Sequence, residues 1–383
     1  MPAPKTEQPL PTLPDPTPSR ALPWLLMALE RLIFYGFISR LALTLNERLH
    51  LPEEQAFAYY GQVMFALYAL RIPLALVSDR WLGSRAAVAV GFGLQAAGLL
   101  AASLFTPAAL TLGVLLFICG SAATYPNMVA LLGLRYAPDS RRLGGALVGL
   151  MVALDIGAGL GPLLTELVTV QAGDDRALAA LASLAALGLA LLAWKWRPLA
   201  PYHSPNADPA TPAPAPRDRL SPRKVVAASI LTCYLLSLLR TYIERRLTTP
   251  PPLLLLGLNL SPQHPALPYS VLAALPALVL AIVVLRLLRR VPAQPAIWIR
   301  LASSAALLLP ITLAAASYTT APNQDAARFL FTAATLASTL FGLLLTPLLA
   351  EQALRHARRY PVTAAALLAL LLQALQGLVG KLP

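Results

Sequence analysis

The chain has 383 residues, 57% hydrophobic and only 12% charged, whereas a soluble domain carries about 25% charged residues. At about 20 residues per crossing helix this length leaves room for roughly a dozen spans, so the composition excludes an ordinary water-soluble domain. The formal charge of +13 does not point to nucleic acid: the basic residues fall in short clusters between apolar runs, without basic and aromatic interleaving.

In chain order, residues 1–23 are proline-rich with no apolar signal core and are expected to form a disordered tail. Apolar runs then predict spans at about 24–46, 56–78, 85–105, 108–132, 143–167 and 177–196. A proline-rich stretch, 197–223, reads as a linker that neither packs nor forms a helix. Five further spans are expected at about 225–243, 267–288, 296–318, 326–350 and 361–380. The run from Pro250 to Leu260 is too short to cross and reads as an external or re-entrant segment. The expected domains are thus a six-helix bundle over 24–196, the linker, and a second bundle over 224–383 with five or six spans.

Lys and Arg clusters at Arg80 and Arg85, at Arg141 and Arg142, and in the linker lie on one side, while Glu53, Glu54, Glu166, Asp174 and Asp175 lie on the other. The positive-inside rule then makes the N-terminus and the linker cytoplasmic, and a bacterial inner (plasma) membrane is the expected location. Cys119 and Cys233 both sit in apolar runs, so no disulfide framework or metal cluster is expected. Two six-helix halves joined by a cytoplasmic linker resemble the layout of the major facilitator superfamily, which implies an all-α polytopic membrane protein with two bundles around a central cavity.

The loop between spans two and three reads Asp79-Arg80-Trp81-Leu82-Gly83-Ser84-Arg85. It resembles the signature loop of that superfamily, a conformational device in which Asp79 pairs with Arg85 or with a neighbouring helix terminus and releases it on movement. In the first span Glu30-Arg31-Leu32-Ile33-Phe34-Tyr35-Gly36 resembles the E-x-x-E-R-F-x-Y-Y-G motif of proton-dependent oligopeptide transporters. The likeness continues through Pro52-Glu53-Glu54-Gln55-Ala56, Tyr60-Gly61 and Tyr68, through Pro126-Asn127 in span four, and through Asp155-Ile156-Gly157-Ala158 and Pro162 in span five. It runs over about residues 25–165 and becomes slight beyond 225. The resemblance implies uptake of small peptides or peptide-like solutes by alternating access, with proton coupling.

Several family positions differ. The first glutamate of the motif is Met27, the lysine before Pro-Asn is Tyr125, and the basic residue after the motif's glycine is Ile38. Glu30 and Arg31 remain, and charges in a span are functional by default. As neighbours they project about 100° apart and need not pair with each other. Arg31 could accept a carboxylate in two bonds, and Glu30 could carry a proton; an inherited ion pair is the plainer reading of both. Asp155, where the family has asparagine, is either a proton carrier or substrate contact, or one half of a salt bridge to Arg31 or Arg71. Tyr35, Tyr68 and Tyr125, with Asn127, would line the cavity if the resemblance holds, the alternative being interhelical packing. Arg240 reads either as a cavity cation or as an interfacial, snorkelling arginine. Glycines at 91, 93 and 98 and at 157, 159 and 161 have the spacing of close helix contacts.

There is no nucleophile elbow, H-E-x-x-H, P-loop or metal-ligand spacing, so neither catalysis nor a cofactor is expected. The expected partners are a peptide-like solute, protons and the bilayer. The alternative function is a transporter-derived subunit that no longer transports and holds protein partners in a larger assembly.

Overall fold

The computed structural model describes residues 21–136 and 140–194, with 350, 354 and 362–367 from the second half. Among these residues it is all helical, and six helices are long and apolar enough to cross a membrane. They are α1 (Ala21–Leu49), α2 (Glu53–Val77), α3 (Ser84–Ala102), α4 (Pro107–Tyr136), α5 (Ser140–Ala172) and α6 (Asp174–Trp194). The linker, the Pro250–Leu260 run, Arg240 and Cys233 lie outside the described residues, as do the second-half spans apart from the positions named.

Each expected span of the first half is present, and most extend beyond their apolar runs. The helix α1 begins at Ala21, so residues 21–23 belong to it and not to the tail. Proline is tolerated in a first turn, where backbone N–H groups have no intrahelical partner. The longest helix, α5, has 33 residues. At 1.5 Å per residue it rises about 50 Å, well past a hydrocarbon core of about 30 Å, so its ends reach the headgroup region or the helix tilts.

The six-helix bundle closes along two glycine seams. On α3 a Cβ at Gly98 would lie 2.6 Å from the Gly113 carbonyl oxygen and 2.7 Å from the Phe117 backbone nitrogen. One at Gly120 would meet Gln95 Cγ at 2.9 Å, so α3 and α4 touch backbone to backbone at two levels. On the other seam Gly157 and Gly161 of α5 press on α1; a Cβ there would come within 2.9 Å of the Leu32 and Gly36 nitrogens respectively. In lipid, packing and interhelical bonds replace the hydrophobic drive between helices, and small residues allow the close approach. Of the glycines singled out by spacing, Gly91, Gly98, Gly157 and Gly161 are used in this way, whereas Gly93 faces open space. Phe34, Phe37 and Phe117 fill the join of α1 and α4, with ring centroids 4.5 Å apart between Phe37 and Phe117.

Charged fastenings hold one end of the bundle. Arg40 of α1 donates to Glu166 at 3.0 Å and to Asp174 at 2.9 Å, tying α1 to the ends of α5 and α6 that meet at Gly173. Gly173 has φ 91, which a side chain would resist, so the tight reversal needs glycine.

Candidate functional site

Halfway along α1 the structure has the ion pair that is one of the two readings of these residues: Glu30 and Arg31 do pair. The Arg31 guanidinium forks over the carboxylate, with Nε donating to Oε2 and Nη2 donating to Oε1, the latter at 2.8 Å. Both side chains are buried, at 4% and 0% exposed. The two Cα–Cβ bonds diverge, but both side chains are long enough to turn toward α3 and α4 and meet there. The α5 backbone also crowds the stem of Arg31, since a Cβ on Gly157 would lie 2.8 Å from Arg31 Cβ. In apolar surroundings an uncompensated charge costs several kcal/mol, which favours pairing with the nearest opposite charge.

Two residues without motif status complete this cluster. Ser121 Oγ of α4 donates to Glu30 Oε1 at 2.7 Å and lies 3.2 Å from Arg31 Nη2, while Gln95 Nε2 of α3 donates to the same Oε1 at 3.1 Å. The signal that could have found them is a polar side chain in mid-span, which needs a partner in lipid. One carboxylate oxygen therefore receives three donors from three helices, and Glu30 is held as the acceptor at the centre of the bundle.

Beside this pair lies a second arginine with a different environment. Arg71, on α2, is only 4% exposed, and no carboxylate among the described residues pairs with it. Its Nε has no hydrogen-bond partner among the described residues. What it meets is aromatic: its Cζ stands 4.4 Å from the Tyr68 ring centroid and 4.9 Å from that of Tyr125. Arg31 meets Tyr125 too, at 5.3 Å, and Phe34 at 4.7 Å. Tyr125, which stands where the family carries lysine, thus has a guanidinium on each of two approaches. A cation over an aromatic face gains about 0.5–2 kcal/mol, which offsets only part of the burial cost of Arg71.

Asp155, on α5, is half-buried and makes neither of the salt bridges expected for it: no hydrogen bond or ion pair to Arg31, Arg71 or any other described residue engages its carboxylate. It lies within electrostatic reach of Tyr35, which also senses Arg31, Tyr68 and Tyr60. The expected cavity residues Arg31, Tyr35, Tyr68 and Tyr125 are therefore brought together, and Asp155 borders the same group. Asn127 has a different position: it is fully buried, and its amide donates to Ser78 Oγ at 3.0 Å and to the Ala123 carbonyl at 2.7 Å. That bonding clips α4 to the end of α2 and leaves its amide donors spent.

At the far end of α2, residues Ser78–Leu82 widen into a π-helical turn that stops at Gly83, whose N–H returns to the Ser78 carbonyl at 2.8 Å. Gly83 has φ 75, so glycine is required there. Of the two partners expected for Asp79, the structure has the helix terminus. Its carboxylate accepts from Val362 N at 3.2 Å, Thr363 N at 2.8 Å and Thr363 Oγ1 at 2.7 Å. A carboxylate on the free N–H groups of a helix start is stabilised by hydrogen bonding and by the helix dipole. Leu354 packs into the space over Gly133 of α4 on the same side. Arg80 is exposed, and Arg85 is half-buried at the start of α3.

Residues 24–380 match the Major Facilitator Superfamily, and the chain belongs to it. It is an integral membrane protein with a transporter's fold, not that of an enzyme. More particular likenesses fall on peptide transporters. The peptide transporter YePEPT of Yersinia enterocolitica subsp. palearctica is 28% identical over 144 residues, 36% of this chain and 28% of that protein. The dipeptide and tripeptide permease B of Yersinia enterocolitica serotype O:8 is 29% identical over 143 residues, 36% of this chain and 29% of its own length. The matched stretch thus spans less than a third of these relatives. Among solved structures, a POT family transporter in complex with 5-aminolevulinic acid aligns with a TM-score of 0.61, at 17% identity, over 94% of this chain and 90% of the other. The human organic anion transporter MFSD10 aligns with a TM-score of 0.63, at 16% identity, over 96% and 95%. At such identities these structures speak for the fold.

Proposed function

We propose that the protein is a secondary active transporter of small peptides or peptide-like solutes, working by alternating access in a bacterial inner membrane with its N-terminus in the cytoplasm. The observation that carries this reading is the division of charge around the tyrosine cluster. Glu30 and Arg31 satisfy one another, which leaves one buried cation, Arg71, and one carboxylate, Asp155, without a described partner. A site with one separated charge of each sign complements a zwitterion with an amine at one end and a carboxylate at the other. Tyr35, Tyr68 and Tyr125 supply the amphipathic wall between them.

Proton coupling belongs to the same reading. Of the two described acids beside the tyrosine cluster, Glu30 is engaged by Arg31, Ser121 and Gln95, so Asp155 is the freer to exchange a proton with solvent or solute. The residues lining the binding site are Tyr35, Tyr68 and Tyr125, with Arg31 beside them held by Glu30 and Asn127 acting through the α2–α4 contact. Asp79, Arg80, Gly83 and Arg85 form the moving junction. The relatives' printed functions, a peptide transporter and a dipeptide and tripeptide permease, support this choice of solute.

The test is uptake of a di- and tripeptide mixture into proteoliposomes, with and without an inward proton gradient, beside Glu30→Gln and Asp155→Asn. Gradient-driven accumulation by the native chain, abolished in Asp155→Asn, is expected. No uptake by folded protein would sink the peptide reading and leave the non-transporting membrane subunit, for which a stoichiometric partner retained in mild detergent is the sign.

A further inference from the structure

Arginine at position 71 is the one described cation near the tyrosine cluster that no described carboxylate neutralises. Its neighbour in space, Arg31, already has its Nε and Nη2 engaged, by both Glu30 oxygens and Ser121 Oγ. A second anion taking the Nε and Nη2 edge of Arg31 would have to displace Glu30 from a bidentate bond. Arg71 offers an Nε–H with no acceptor among the described residues, although the residue is 4% exposed. A buried donor is nearly always satisfied, and one left open beside the tyrosine cluster, away from any described carboxylate, is a position where a ligand acceptor fits. The Tyr68 and Tyr125 rings meet the guanidinium at 4.4 and 4.9 Å from its Cζ, contacts that use its charge and not its N–H donors.

We propose that Arg71, steadied between Tyr68 and Tyr125, is the anion-binding pole of the cavity and takes the carboxylate end of the solute, while Arg31 stays committed to Glu30. The assignment of a peptide carboxylate rests on the proposed function above; the anion pole itself does not. The same geometry accepts any small oxyanion, because a guanidinium edge matches the two oxygens of a carboxylate or a sulfate alike.

The measurement is equilibrium binding to the full chain in detergent, using dialanine, dialanine amide and inorganic sulfate as probes. Wild type is compared with Arg71→Gln, Arg71→Lys and Arg31→Gln, each first shown to be monodisperse. Dialanine amide lacks the carboxylate charge, so it should bind wild type at least tenfold more weakly than dialanine. In Arg71→Gln that difference should vanish, in Arg71→Lys it should survive in part, and in Arg31→Gln it should persist. A tenfold penalty that persists in Arg71→Gln, or that vanishes only in Arg31→Gln, overturns the proposal and leaves peptide transport standing. If dialanine does not bind but sulfate does, and Arg71→Gln removes the sulfate binding, the anion pole stands and the peptide reading falls. Binding of neither probe in an Arg71-dependent way overturns the proposal.

Discussion

Two arginines a few ångströms from one tyrosine ring respond oppositely to removal of charge. Arg31 and Glu30 share a bidentate bond with both side chains buried. Truncating one partner of such a pair leaves the other charge buried and alone, a loss of about 3–5 kcal/mol. Glu30→Gln should therefore lower the thermal midpoint in detergent, and adding Arg31→Met should recover much of the loss, because removing both charges also removes the desolvation cost. A double variant no more stable than Glu30→Gln would show that the pair is not the determinant. For Arg71 the expectation has the opposite sign. No described carboxylate pairs with it, and two aromatic faces return about 0.5–2 kcal/mol each against a larger burial cost. Arg71→Gln should melt at or above the wild-type temperature without ligand; a clear drop would mean that the arginine serves the fold. The sequence marks Glu30, Arg31 and Asp155 because charge in an apolar run is costly wherever it falls. It does not say which charge is neutralised, since that depends on side-chain reach across helices, on Gln95 and Ser121, and on crowding by Gly157.

Among the helices, the spans were legible because lipid demands about 20 apolar residues per crossing, a signal that survives without any alignment. Their contacts were legible only in part. Regular glycine spacing suggested close approach for both Gly93 and Gly98, yet the helix's rotation about its axis turns Gly98 onto α4 and Gly93 away. Rotation is set by the neighbours, not by one helix's own sequence. The distinction makes a paired prediction. At Gly98 a methyl group would stand 2.6 Å from a carbonyl oxygen and 2.7 Å from a backbone nitrogen, neither of which can yield without parting the helices. Gly98→Ala should cost about 1–3 kcal/mol by overpacking. Gly93→Ala, with no atom within 4 Å of the new methyl, should be neutral or stabilising by up to about 1 kcal/mol from helix propensity. Thermal unfolding of the two variants side by side gives the comparison, and equal melting temperatures would contradict the packed seam. Arg40 belongs to this scale too. It belongs to no motif in the sequence, but it joins three helices through Glu166 and Asp174, acids that the sequence assigns to the same end of the bundle.

Across the whole molecule, the two halves meet where Asp79 accepts three hydrogen bonds from Val362 and Thr363. The chain separation between these groups is 283 and 284 residues, so the contact reports directly on how the bundles close at this end. Alternating access requires that such a junction open and re-form, and a ligand or proton shifts that equilibrium only by what it contributes differently to each state. Hydrogen bonds to a charged group are worth about 1.5–3 kcal/mol each, though a junction that must open recovers part of this from water when it does. Asp79→Ala removes all three acceptor contacts together with the charge on the helix terminus. Losing even about 2 kcal/mol of net stabilisation changes the ratio of closed to open molecules by roughly thirtyfold, enough to turn a minor open state into a major one. Spin labels on the exposed positions Arg80→Cys and Leu367→Cys, in a chain with Cys119 and Cys233 replaced by alanine, read this separation directly. The native junction should give one short distance, and Asp79→Ala should move most of the population to a longer one while leaving the first bundle's melting behaviour unchanged. An unaltered distance distribution would mean that Leu354 over Gly133 and its neighbours hold this end without the carboxylate, and that the gate lies elsewhere.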